Sequence, residues 1–166
     1  MRQEEDVHAP NVRDSAILLV DDNEEDVLLL QRAFRNARIM NPLFEVRDGQ
    51  SAIQYLSGDG AYADRTCFPI PFLILLDLRL PKLSGFEVLA WIREQPQLDE
   101  LIVVVLTASE RVPDVTRAHE LGANFYLVKP GSFKELVGMV KEIKDRWLKQ
   151  NAATAIPACR EASCAT

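Results

Sequence analysis

With 166 residues, the chain is long enough for one well-buried domain and too short for two ordinary ones. Hydrophobic residues make up 48% and charged residues 27%, the balance of a globular protein rather than a disordered or membrane-embedded one. Its 19 Lys and Arg against 25 Asp and Glu leave a net charge of −6, which argues against nonspecific binding to nucleic acid or to an anionic membrane surface.

Residues 1–14 read as a flexible acidic arm without the basic and apolar regions of a secretory signal, predicting a cytoplasmic protein. The apolar run "AILLV" at 16–20 is the first strand. A helix follows from Asn23 to Arg38, with Val27, Leu30, Phe34 and Ala37 on one stripe and Asn23 paired with Asp26 as an N-cap. A weaker strand, "FEVRD", spans 44–48, and a helix spans Gly49 to Ser57. The connection from Ser57 to Pro71 carries Tyr62, Phe68 and Ile70. It leads to the start of a strand, so it is expected at the sheet edge away from the carboxyl ends, with a packing or partner-contact role.

The second strong strand, "FLILL", covers 72–76 and is followed by a helix from Gly85 to Glu94. "LIVVVL" at 101–106 is a third unalternated strand, and Pro113 and Gly122 bracket a helix that ends at Leu121. "NFYLV" at 124–128 completes the strands. From Ser132 to Lys149, Phe133, Leu136, Val137, Val140, Ile143 and Trp147 recur at helical spacing. Residues 150–166 are small and polar and read as a flexible tail. No apolar run approaches the roughly 20 residues that a membrane span needs.

Strand followed by helix, five times over, predicts a three-layer α/β domain over 15–149. Unalternated apolar runs fit strands covered on both faces. Trp91 and Trp147 are expected in the core, and His8 and His119 on the surface. Cys67, Cys159 and Cys164 form neither an even disulfide set nor a zinc spacing, and reduced thiols are expected.

Function in such sheets lies beyond the carboxyl ends of the strands. Asp21 and Asp22 stand there after the first strand, Asp77 after the third, Thr107 after the fourth, and Lys129 with Pro130 after the fifth; Asp48 after the second is ambiguous. Each residue alone has an ordinary explanation, as a cap, a strand end or a solvated charge. Their convergence on one edge does not. Two carboxylates about 4 Å apart repel by roughly 4 kcal/mol at an effective dielectric of about 20, so three together require a cation or protons. An all-oxygen donor set suits Mg²⁺ rather than zinc. A metal, an ammonium and a hydroxyl around a carboxylate can hold a phosphoryl group in transfer, with Asp77 as the nucleophile.

"ILLVDDNEEDV", "LILLDLRLPKLSGFEVL", "VVVLTAS" and "FYLVKP" occur in that order, and over about residues 15–149 the chain resembles the receiver domains of two-component response regulators. The resemblance implies a flavodoxin-like (βα)5 fold with a five-stranded parallel sheet in the order 2-1-3-4-5. It implies that Asp77 accepts the phosphoryl group from a phosphohistidine of a sensor kinase. Asp22 and Asp77 would ligate Mg²⁺ with the main-chain carbonyl of Arg79, and Asp21 would act mainly through a water. Thr107 and Lys129 would hold phosphoryl oxygens, with Thr107 shifting toward the phosphate and Tyr126 turning inward behind it. The Lys129–Pro130 bond would be cis.

The stretch "YLSGDGAYADRTCFPIPFLILLDLRLPKLSG" with "LGANFYLVKP" is similar, more narrowly, to stand-alone receivers partnered with phytochrome-type or related hybrid histidine kinases. No DNA-binding segment follows the last helix, implying output by protein contact or, alternatively, by relay to a histidine phosphotransfer protein. A homodimer is left open, and neither DNA nor membrane is expected as a partner. Such a protein catalyses only its own phosphorylation and dephosphorylation. Arg79 and Ser109 flank the path of water to the phosphorus, with Arg79 expected to slow hydrolysis.

Three rivals weaken on particular residues. A flavodoxin-type cofactor binder needs a phosphate loop of low negative charge, whereas "DDNEED" places five acids in six residues. A phosphatase of the haloacid dehalogenase type needs an acid two residues after its nucleophile, where Arg79 stands. A degenerate receiver serving only as a scaffold would lack some of the phosphorylation residues, and all are present.

Overall fold

The structure, a computed structural model, describes residues 15–148. Its strands are β1 (Ile17–Val20), β2 (Leu43–Val46), β3 (Leu73–Leu76), β4 (Ile102–Thr107) and β5 (Phe125–Val128), alternating with helices α1 (Glu24–Asn36), α2 (Gly49–Ser57), α3 (Gly85–Glu94), α4 (Val112–Glu120) and α5 (Phe133–Ile143). The strands form one parallel sheet in the order β2-β1-β3-β4-β5. This is the flavodoxin-like arrangement that the resemblance implied.

Alternate residues of the central strands enter two separate apolar layers. Ile17, Leu19, Leu73, Leu75, Val104 and Leu106 pack with Val27, Leu30 and Phe34 of α1 and with Leu136, Val140 and Ile143 of α5. Leu18, Val20, Ile74, Leu76, Val103 and Val105 pack on the other side with Tyr55 and Leu56 of α2, Leu89 and Ile92 of α3, and Ala118 of α4. Both faces are dry, which is why these strands show no polar alternation. Register then sets the functional edge. Val20 pairs with Leu76, so the next residues, Asp21 and Asp77, emerge side by side.

Helix starts follow their caps. The Asn23 side chain accepts from the Asp26 N–H at 3.0 Å, and Ser84 forms a capping box with Glu87. Asp48, the ambiguous strand end, proves to be the N-cap of α2, accepting from the Ser51 N–H at 2.7 Å and the Ser51 hydroxyl at 2.9 Å. Partial burial alone would raise its pKa, but the Ser51 bonds and nearby Lys82 outweigh it and hold the carboxyl below its ordinary value. Asp48→Ala is therefore expected to cost about 1 kcal/mol at neutral pH. Because the folded-state pKa is depressed, this contribution is complete above the unfolded pKa of about 3.9 and is lost as pH falls through the folded value. Urea unfolding of both proteins at neutral and at acidic pH checks it; a difference that persists undiminished in acid counts against the charged cap.

Two expectations need correction. The last helix does not run unbroken from 132 to 149: α5 ends at Ile143 and a π-helical turn covers Lys144–Leu148. In that turn the Lys144 ammonium donates to the Ala37 carbonyl at 2.8 Å, and Trp147 sits edge-on to Phe125 at 5.7 Å. Cys67 is not a reduced thiol but is disulfide-bonded, an odd count having left room for one bridge. Cys159, Cys164 and His8 lie outside the described residues.

The 57–71 connection is built rather than loose. It contains a 3₁₀ turn at Gly60–Tyr62, and the rings of Tyr62 and Phe68 lie 5.1 and 6.0 Å from Tyr55. Arg65 donates to the carbonyls of Tyr55, Leu56 and Phe68 at 2.7, 2.8 and 3.1 Å, satisfying acceptors that the end of α2 leaves over. The packing role expected for Tyr62 and Phe68 holds, while Ile70 stays exposed. His119 is exposed, and Trp91 and Trp147 are partly buried against the two layers.

Candidate phosphoacceptor and metal site

Three of the site residues are placed by main-chain bonds that continue the sheet past its strands. The Asp21 N–H donates to the Val46 carbonyl at 3.2 Å, Asp77 to Val20 at 3.0 Å, and Lys129 to Thr107 at 2.8 Å. The main chain from which these side chains leave is therefore held as firmly as the strands themselves. Asp21, Asp77 and Thr107 are buried and Asp22 is exposed at the mouth.

Ligand oxygens of Asp21, Asp22 and Asp77 lie within 4.8 Å of one another. The Asn23 N–H donates to Asp21 Oδ1 at 2.9 Å, and the Arg79 N–H donates to Asp77 Oδ1 at 3.2 Å. Lys129 Nζ donates to Asp21 Oδ2 at 2.7 Å, Asp26 Oδ2 at 2.8 Å and Asp77 Oδ2 at 2.9 Å. Burial pushes the Asp21 carboxyl above its ordinary pKa despite Lys129 and the Asn23 N–H. Burial would likewise favour neutral Lys129, but the bonds to Asp21, Asp26 and Asp77 overcome it and push the ammonium's pKa up. The site thus holds a persistent positive charge against clustered negative ones. One ammonium cannot neutralise so many carboxylates, and the oxygen-only donor set fits a hard divalent cation.

Around this centre, the Thr107 hydroxyl oxygen accepts a long bond, 3.5 Å, from the Ser109 N–H. Ser109 is buried and donates through its hydroxyl to Asp114, while the Tyr126 hydroxyl donates to the Ser109 carbonyl at 2.8 Å. Arg79 is exposed. The Lys129–Pro130 peptide is trans, contrary to the expectation of a cis bond; an X-Pro bond admits either isomer at small cost. Asp26 was expected only as a capping partner on α1, and its contact with Lys129 is new. The available signal was its position one turn into α1, above the same sheet edge.

The model of the response regulator receiver domain matches residues 17–141. The chain belongs to this family. The receiver is 43% identical to the response regulator Rcp1 of a Synechocystis species over 133 residues, covering 80% of this chain and 88% of that one. Among solved structures, the phosphorylated cyanobacterial phytochrome response regulator RcpA superposes with a TM-score of 0.76 at 39% identity, covering 83% of this chain and 96% of that one. The Mn²⁺-bound form of Rcp1 gives 0.74 at 41% identity over 87% and 99% of the two chains. This receiver is thus a two-component signalling protein similar to phytochrome-associated regulators, with an acidic cluster suited to a divalent metal. Among its described residues, no helix is long and apolar enough to cross a membrane.

Proposed function

We propose that this receiver accepts a phosphoryl group on Asp77 from the phosphohistidine of a sensor histidine kinase, in a Mg²⁺-dependent reaction, and so switches its protein contacts in the cytoplasm. The observation that carries this reading is the convergence on Asp77 of the Asp21 and Asp22 carboxylates and the Lys129 ammonium, at the end of one sheet. An Asp77 carboxylate oxygen forms the new bond to phosphorus as the phosphorus–nitrogen bond breaks. The imidazole leaves with the electron pair and takes up a proton.

Asp22 and Asp77, with the Arg79 main-chain carbonyl, would hold Mg²⁺, and Asp21 would act mainly through a water. The ion supplies positive charge to the transferring oxygens. Thr107 and Lys129 donate to those oxygens, and Thr107 moves toward them. Tyr126, whose hydroxyl donates to the Ser109 carbonyl and whose ring packs against the apolar layer, is the residue that would turn inward behind it. The phytochrome association in the name of RcpA supports a phytochrome-type sensor kinase as the class of donor.

Acetyl phosphate and Mg²⁺, followed by intact mass measurement, test the reaction. Wild type is expected to gain one phosphoryl group, to gain none after the divalent ion is chelated, and to gain none as Asp77→Asn. An equal adduct on Asp77→Asn refutes the assignment.

A further inference from the structure

A lysine ammonium has three protons to donate, and in this structure all three are committed to carboxylates. Two of those carboxylates, Asp21 and Asp77, belong to the cluster that would hold the cation, and Asp77 is also the group that would be phosphorylated. Their oxygens are the ones the reaction draws on. Asp26 is different. It lies on the first turn of α1, its main-chain N–H fixed by the Asn23 side chain at 3.0 Å, and it stands outside the three-carboxylate cluster. Its bond to Lys129 is 2.8 Å, as short as those made by the acids at the sheet edge.

We propose that Asp26 is a positioning residue for phosphoryl transfer, holding one proton of the Lys129 ammonium so that the other two stay aimed at Asp77 and the incoming phosphoryl oxygens. The inference rests on the receiver reading above. Lys129 follows directly on β5 and reaches the site through a long flexible stem, so its tip has no fixed direction without an anchor. Asp21 and Asp77 cannot anchor it through the reaction, because both exchange partners as the cation and the phosphoryl group arrive. Asp26 supplies a contact from outside the three-carboxylate cluster, on a helix whose start is fixed by its own cap. A single acceptor oxygen is all the role requires, so an amide of the same length should largely replace it.

The test measures the rate of phosphorylation by acetyl phosphate at saturating Mg²⁺ for wild type, Asp26→Ala, Asp26→Asn and Glu25→Ala, the last removing an equal charge from a neighbouring exposed position. Asp26→Ala is expected to react about tenfold more slowly, the scale of effect that a misdirected reacting group produces. Asp26→Asn is expected to recover at least about half of the wild-type rate by supplying the same acceptor reach, and Glu25→Ala to match wild type. Far-UV circular dichroism establishes that each variant is folded, and Asp26→Asn carries the comparison if Asp26→Ala is not. A rate for Asp26→Ala equal to or above wild type overturns the proposal, as does Asp26→Asn reacting as slowly as Asp26→Ala. If wild type itself takes up no phosphoryl group, it is the receiver chemistry that fails and not the role of Asp26.

Discussion

Lys129→Met is expected to destabilise the metal-free protein by about 3–5 kcal/mol at neutral pH, because it removes the partner of buried charges while keeping a side chain of similar length. Asp21 and Asp77 have side chains only 2% and 9% exposed, and each gives one oxygen to the Lys129 ammonium. Asp26, at 35%, can turn to water. The loss should therefore come mainly from the two buried acids, and adding Asp21→Asn to Lys129→Met should restore part of the stability. Mg²⁺ should narrow the difference as well, since carboxylates that have lost their ammonium bind a cation more tightly and the folded state gains more from it by mass action than it does in wild type. Urea denaturation with and without Mg²⁺ measures both effects. A loss below about 1 kcal/mol would mean that water reaches these carboxylates freely.

Gly85→Ala is expected to cost about 1–3 kcal/mol or more, although alanine is ordinarily the better helix former by close to 1 kcal/mol. A Cβ at Gly85 would stand 2.2 Å from the Asp77 carbonyl oxygen and 2.7 Å from Leu78 Cα, and both obstacles are main chain. Neither can swing aside as a side-chain tip would. The main chain packs this closely because the Gly85 N–H donates to the Leu78 carbonyl at 2.9 Å, drawing the start of α3 against the end of β3. Relief of the clash must move Asp77 itself, so phosphorylation should fall along with stability. Gly138→Ala on the exposed face of α5 is the contrast: nothing lies within 4 Å of its Cβ, and the change should stabilise by about 0.5–1 kcal/mol. Thermal unfolding of both variants, with acetyl phosphate uptake for Gly85→Ala, separates close approach from helix propensity. A Gly85→Ala protein as stable as wild type would contradict the contact.

Much of this molecule is readable before it folds, and the reasons are local. The strands are unbroken apolar runs, and the bounds of α2 and α3 agree with expectation because Asp48 and Ser84 cap them. The site was legible because parallel strands all point their carboxyl ends one way, so Asp21, Asp22, Asp77, Thr107 and Lys129 had to share an edge. Contacts fixed by side-chain reach were not legible. The Asp26 bond to Lys129 joins residues 103 positions apart, and the fan of bonds from Arg65 depends on how the 57–71 connection closes. The π-helical turn after α5 has the same character, since apolar spacing alone continues straight through Ile143 to Trp147. Counting cysteines likewise says nothing of which thiols come close, and Cys67 shows it.

The ammonium that balances the acids belongs to the last strand, and this orders events as the chain is made. Asp21 leaves the ribosome 108 residues before Lys129, and Asp77 leaves 52 residues before it. Until β5 docks on β4, the carboxylates have only solvent cations to oppose their repulsion. A nascent chain that has paired β2, β1 and β3 therefore carries an acidic edge that favours opening. Joining the two ends requires closing a very long loop, a cost that grows only slowly with length and is met once the intervening strands are in place. On the function proposed above, the capacity to take up a phosphoryl group would be acquired late, with the final strand, and an unfinished receiver would not compete for the signal meant for a completed one.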